Sequence, residues 1–449
     1  MRRHPINTQS GFSMVELMVA LLIGVVLTSG VISVFITSKN TYNLNNAVGQ
    51  VQEEGRSALT TLQPLIAMAG FSGCAHVRGD SIHDYKNLLG TGDSDPVYMD
   101  QYGIYGYEYK GTGIGASYTD TTGQTPAVAT SASEWSPALS NELFTAISTA
   151  AAPVVKYSDI LIIHEGQANP ATVLVDSSAT SPATTVGPLT YVTANAPAMT
   201  PGSIAIASDC TNGTSSEVTA FQITSMTSGS LNHVMNSGTP GNVSTDTNFD
   251  PYMLGINQNW PNHISSTGEV TPELTFVFYI GKSSVDQGTS LFELQMGPAT
   301  GGTFSLAPQE LVPGVENMQL LYGVDNSKGL GTPPVQPRIP GIFETADAIT
   351  IDTNNFGGLI GGGGTPDGIW NDVLSVRVAL IVHSDNNSIE SNTNVVTTSG
   401  TKQALTNTVS QTFYMLGTSS TDSLTYNTFA DRRLRRLFEE TFSVRSQLP

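Results

Sequence analysis

One carboxylate, Glu16, stands at the start of an uncharged apolar run from Leu17 to Ser38. An ionisable side chain in hydrocarbon costs a few kcal/mol and is held there by an opposite charge, so Glu16 offers an ion pair. No other combination completes a reactive site. His164-Glu165 begins like a zinc-protease motif, but position 168 is Ala and Gly166 breaks the segment, which suits a solvent-facing strand end. His76, His83, His233, His263 and His383 have no second ligand at short spacing. Gly111, Gly113 and Ala116 fit a dinucleotide loop but lead into SYTDTTGQTP, and without a helix N-terminus they form a glycine loop. Asp246, Asn248 and Asp250 match three calcium-loop positions, yet Pro251 occupies the glycine turn and Asn257 replaces the closing carboxylate. Asp93 and Asp95 are weaker still, and no G-x-S-x-G elbow occurs. The expectation is a chain with no enzymatic role, no cofactor and no metal.

Two further groups carry potential. Cys74 and Cys210 are the only cysteines; they pair if the bulk of the chain is exported and stay buried thiols if it is cytosolic. Arg432, Arg433, Arg435 and Arg436 form the one basic cluster in an acidic chain. A solvated face is the default for such a run. The alternation Phe438, Glu440, Phe442, Val444 after it suggests a terminal strand, which would make the arginines a docking edge for an acidic neighbour.

The element that must position Glu16 is a membrane helix. Residues 1–11 are short and polar with Arg2 and Arg3, an apolar run begins at Phe12, and Lys39 follows the span. The 22 residues from Leu17 to Ser38 would rise about 33 Å as a helix, close to the hydrocarbon thickness. Basic residues ahead of the span favour a cytoplasmic N-terminus and an exported bulk. No Ala-x-Ala site follows, so the segment is not an ordinary secretory signal. A plain signal anchor accounts for the length but leaves Glu16 unexplained.

The stretch Gly11-Phe12-Ser13-Met14-Val15-Glu16-Leu17-Met18-Val19-Ala20 resembles the type IV prepilin processing motif. By that resemblance a prepilin peptidase cuts between Gly11 and Phe12 and methylates the Phe12 amine, leaving Glu16 as the fifth residue of the mature chain. The Phe12 ammonium of a neighbouring subunit would then be the charge that Glu16 meets on assembly. With an exported head, a Cys74–Cys210 disulfide is expected.

Beyond the span, Leu44, Val48, Val51, Gly55, Ala58, Leu62, Leu65 and Ala69 predict an amphipathic helix with one apolar stripe, and Pro64 is expected to kink or restart it. After Gly70 the pattern is that of strands: 159–164, 203–207, 218–223, 274–280, 291–296, 317–324, 373–382, 410–416 and 438–444. Residues 111–135 and 325–370 read as long loops. The segments LVPGVENMQLLYGVD (311–325), WNDVLSVRVALIV (370–382) and DRRLRRLFEETFSVR (431–445) look like those of PilW-type minor pilins, with weaker similarity to the J-type pseudopilins of type II secretion.

The fold class that follows is α+β and pilin-like, one long N-terminal membrane-spanning helix packed on a large β-rich head with long loops. The expected divisions are a leader at 1–11, a transmembrane half-helix at 12–38, an amphipathic half at 39–70 and a head at 71–449. At 449 residues the chain exceeds the roughly 250–300 at which one core stops growing, so the head can hold two lobes. Charged residues are only 12% of the chain and the formal net charge is −19, which repels phosphate backbones and excludes nucleic acid as a partner. The resemblance implies a minor pilin acting in initiation or tip assembly of type IV pili. A secretion pseudopilin and an adhesin-type binding module at the tip are the alternatives. The partners implied are the prepilin peptidase, other minor pilins, the major pilin, a large tip adhesin and the inner membrane. The head would lie in the periplasm before assembly and at the pilus tip afterwards.

Overall fold

The computed structural model describes residues 13–74, 85–87, 89, 96–98, 102–120, 126–149, 151–167, 170–174, 189–193, 196, 198–208, 218–227, 229–232, 240–242, 268–283, 288–297, 305–325, 340–349, 370, 373–384, 394–396, 402–404, 411–417, 422–429, 431 and 433–444. Met14–Met68 is a single α-helix, α1, about 82 Å long at 1.5 Å per residue. From Met14 to Ile36 all its large apolar side chains face outward. Further along, Ala47, Val51, Gly55, Ala58, Leu59, Leu62 and Ile66 are buried against the head. The predicted stripe is thus present, but it drifts by one residue to Leu59 and Ile66. A 4,3,4,3 spacing repeats every 3.5 residues, whereas a straight helix turns every 3.6. Pro64 neither ends nor restarts the helix. It sits on the exposed face, where water can take the carbonyl it leaves without a donor.

The main strands of the head are β1 Ile104–Tyr109, β2 Ile160–Gly166, β3 Ile204–Ser208, β4 Val218–Gln222, β5 Glu269–Lys282, β6 Thr289–Gly297, β7 Ser305–Pro313, β8 Val315–Asp325, β9 Pro340–Glu344, β10 Val373–His383 and β11 Arg435–Ser443, of which β2, β7, β10 and β11 pack on α1. In the first sheet β1, β2, β5, β6 and β7 are antiparallel neighbours in that order. The first residues of β5 pair instead with β3, which pairs with β4. The second sheet has the order β9-β8-β10-β11, also antiparallel. A small third sheet joins Thr412–Met415, Leu424–Asn427 and Ser117–Thr119. Residues 111–135 and 325–370, read as loops, therefore include the strand Ser117–Thr119 and β9.

Alternation along the second sheet divides its two faces. Met318, Leu320 and Tyr322 of β8 and Val376, Val378, Leu380 and Val382 of β10 enter the main core with Val51, Ala58, Leu62 and Ile66 of α1. Leu321, Ala379 and Ile381 point the other way, onto Phe413, Met415 and Tyr426 of the third sheet. A separate cluster around Ala205, Phe221, Leu231 and Val270 lies under β3 and β4. The helix thus rests on a sheet that is filled on both faces.

Candidate functional site

The apolar half of α1 is the first functional surface. None of its most apolar 18-residue stretch is buried in the fold, and by length and composition it can cross a membrane. Glu16 lies in the first turn of the helix, exposed among apolar side chains. Helix N-termini favour negative charge, so this end of α1 suits a carboxylate before any partner arrives. Gly11 and Phe12 lie outside the described residues.

The second surface is where α1 seats on the head. A Cβ added at Gly55 would lie 2.3 Å from the Phe438 ring, so the absence of a side chain lets β11 approach the helix. At the helix exit three segments meet. The Gly70 amide donates to the His164 carbonyl at 2.7 Å, the His164 amide donates to the Gly103 carbonyl at 2.9 Å, and the Gly166 amide donates to the Phe71 carbonyl at 2.6 Å. A Cβ at Gly103 would stand 2.4 Å from the Gly70 Cα, so backbone packs on backbone. Sequence reasoning passed over Gly103; the one signal was a glycine inside an aromatic, strand-like segment, YGIYGY.

His164 corrects an expectation. It is buried, not a solvent-facing strand end, because β2 runs on to Gly166 and pairs Glu165 with Leu274 of β5. Its Nε2 donates to the Pro96 carbonyl at 3.0 Å, and Nδ1 lies 2.9 Å from Glu273 Oε1 and 3.2 Å from Thr275 Oγ1. The ring thereby braces the strand that receives the helix. Its neighbour Glu165 is half-buried, and burial pushes its carboxyl up to about 7. The glycines at 111 and 115 form turns and not a phosphate loop. Asp93, Asp95, Asp246, Asn248 and Asp250 lie outside the described residues. Among the described residues no group of three or more His, Cys, Asp or Glu side chains is arranged to hold a metal.

The arginine cluster is split by the structure. Arg435 is buried: its Nε donates to Glu316 Oε2 at 2.6 Å, and its Nη1 and Nη2 bind the two oxygens of Asp431. Burial would lower its pKa, but Glu316 and Asp431 together raise it. Asp431 is affected in reverse: burial raises its carboxyl, and Arg435 more than compensates, leaving it below the usual range. Arg433 donates from Nη1 to His383 Nε2 at 3.2 Å, and His383 Nδ1 donates to the Ser384 carbonyl at 3.1 Å. His383 is accordingly a neutral ring; burial lowers its pKa, as do Arg433 and Arg435, against an opposing pull from Glu316. Among the described arginines of the cluster only Arg436 is exposed, 5.7 Å over the Phe438 ring. Arg432 lies outside the described residues. As a docking edge the cluster therefore loses Arg435, whose guanidinium is spent inside the protein.

Residues 277–446 match the family model described as Type IV Pilus-assembly protein W, and residues 6–32 match the Prokaryotic N-terminal methylation motif. No curated protein and no solved structure matches the chain. The first match spans β6 to β11 and the last part of β5, including the sheet under α1, and the second covers the start of the helix itself. Falling on this helix and this head, the two matches are consistent with a PilW-type, prepilin-like minor pilin.

Proposed function

We propose that the chain takes part in the initiation or tip assembly of type IV pili, anchored through residues 12–38, with residues 39–70 along the head and residues 71–449 outside the cytoplasm. The observation that carries this reading is a 55-residue helix whose apolar half is bare while its other half is fixed in the core of a large head. Filaments built from such subunits pack the bare halves side by side. Glu16 would then meet the Phe12 ammonium of the next subunit, and the prepilin peptidase, other minor pilins and the major pilin are the partners. A head of about 380 residues has a radius of gyration near 21 Å, against about 13 Å for 100 residues. Such bulk is tolerated where no further subunit stacks above it, which is the end assembled first. That place also brings it beside a tip adhesin, if one is present.

A Cys74–Cys210 disulfide belongs to the same proposal. Ser208 Oγ donates to the Ser72 carbonyl, and each of these residues lies two positions before a cysteine. Closing a loop of about 137 residues would contribute on the order of 4–5 kcal/mol in the chain-entropy model. One mass-spectrometric measurement on envelope-extracted protein checks both modifications: the mature chain should begin at methylated Phe12 and show no alkylatable thiol before reduction. A chain still beginning at Met1 removes the prepilin reading, and two free thiols remove the bridge.

Position and charge pairing are tested together. Labelled heads should mark the ends of intact pili, and Glu16→Val should insert in the membrane at least as well as the wild type yet be depleted from sheared pili. Signal along the whole shaft would refute the tip role. Equal recovery of Glu16→Val and wild type would refute the pairing.

A further inference from the structure

Two carboxyl groups lie where only core is expected. Glu108, in β1, is 3% exposed, and Asp159, the residue before β2, is 1% exposed. Asp159 Oδ1 accepts the Tyr109 amide at 3.0 Å and Oδ2 accepts the Leu320 amide at 2.9 Å. This one side chain therefore ties β1, in the first sheet, to β8, in the second. Glu108 is hydrogen-bonded to Asp159, and its Oε1 accepts from Thr112 Oγ1 at 3.3 Å. Two carboxylates cannot bond to each other without a proton between them. Both Asp159 oxygens already receive N–H donors, which favours its ionised form, so the shared proton sits on Glu108 and is donated to Asp159.

We propose that Glu108 and Asp159 form a one-proton clamp between the two sheets of the head, closed while Glu108 is protonated and released by alkali.

Among the described residues, the groups that face the pair supply no positive charge to balance it. They are Asp347 in the turn after β9, the Tyr322 phenol of β8, Thr112, and Tyr105 beside Tyr322. None of them is a cation. The Tyr322 hydroxyl is buried, has no hydrogen-bond partner among the described residues and touches the site of Gly106, two residues before Glu108. Burial, followed by the charges of Asp159 and Asp347, holds the Glu108 carboxyl well above the ordinary carboxylate range. Burial likewise pushes Asp159 up to about 7, against the pull of its two amide donors. The sign follows from linkage. A carboxyl raised in the folded state gives full stability below its unfolded pKa, and that stability is lost as pH rises through the folded value. The loss should start above the ordinary carboxylate range and continue through pH 7 and beyond. At that point two buried negative charges stand in contact, with Asp347 as a third nearby. The strands they hold contribute Tyr107 and Met318 to the same core that α1 enters, so release would loosen the head beneath its anchor.

The test is thermal unfolding of the full chain in detergent between pH 6 and pH 9. The wild-type midpoint should fall by roughly 4 °C or more across that range. Glu108→Gln donates the same hydrogen bond to Asp159 without titrating, so it should lose most of that slope and melt above the wild type at pH 9. Parallel curves for the two proteins would overturn the clamp. Glu165→Gln removes the other carboxyl that burial raises to about 7. It keeps the question decidable should Glu108→Gln not fold: survival of the wild-type slope in that variant supports the clamp, and its disappearance overturns it.

Discussion

A Gly103→Ala chain should be destabilised by on the order of 3 kcal/mol, and it should be cut by protease between Gly70 and Cys74 where the wild type resists. The clash is with backbone, which no rotamer change relieves. The added Cβ would lie 2.4 Å from the Gly70 Cα and nitrogen and 2.8 Å from the Ala69 carbonyl carbon. Neither segment is free to retreat. The Gly70 amide is bonded to the His164 carbonyl and the Gly103 carbonyl to the His164 amide, so moving one strand breaks the bonds of all three. Gly49→Ala is the matching control. It lies in α1 with no atom within 4 Å of its added Cβ, and helix propensity alone predicts a gain of about 0.5–1 kcal/mol. Thermal melts of the full chain in detergent check both. A Gly103→Ala protein that melts with the wild type would show that the helix exit is not fixed by this contact. Because the exit carries the load between anchor and head, the same variant should be poorly recovered in sheared pili.

The helix and the buried strands were legible because their periodicity is a direct record of what they face. The run VLSVRVALIV over 373–382 is a strand with nearly the bounds its pattern gives, and LTFVFYI over 274–280 lies inside the longer strand Glu269–Lys282. Among the elements that escaped, two did so for identifiable reasons. β1 carries Glu108 and Gly106, which weaken any strand pattern, yet every residue of it is buried. The glutamate is accommodated by a proton and an aspartate 51 positions on, and the glycine by the Tyr322 hydroxyl, and no local signal reports partners that distant. β7 contains Pro308 and Pro313 and so reads as loop, but it pairs with β6 alone and lies at a sheet edge, where proline is tolerated. Site reading failed in the same way for His164 and Arg435. Both looked like solvent-facing polar residues, and each is buried by strand pairing and matched to a carboxylate far along the chain. Motifs carried by consecutive residues, such as the segment around Glu16, suffer no such loss.

Arg435→Ala should cost on the order of 3–5 kcal/mol, a large part of the stability of an ordinary domain, whereas Arg436→Ala should melt with the wild type. The Arg435 side chain is 3% exposed and its partners Glu316 and Asp431 are 9% and 5% exposed. Removing the guanidinium leaves Glu316 and Asp431 buried without the cation that bridges them, with only the more distant Arg433 near Asp431. The partners that remain are the Tyr426 hydroxyl, 3.1 Å from Glu316 Oε1, the Arg433 amide, 3.0 Å from Asp431 Oδ1, and the Arg433 Nε, 3.8 Å from Asp431 Oδ2. They are too few to hold two negative charges out of water. The pH dependence then separates a lost ion pair from lost packing. In the wild type Asp431 is held below its ordinary pKa, so its contribution is present above that range and is lost as pH falls through the folded value. Without Arg435 the burial that raises the Asp431 carboxyl is opposed by Arg433 alone, so the deficit of the variant should shrink as pH falls from 7 toward 5. A deficit that stays constant over this range would assign the effect to the missing arginine stem rather than to charge. Arg436 is left as the exposed member of the cluster among the described residues with its guanidinium at the surface. If β11 offers a docking edge to an acidic neighbour, Arg436→Ala should reduce recovery in pili at an unchanged melting temperature, the opposite signature to Arg435→Ala.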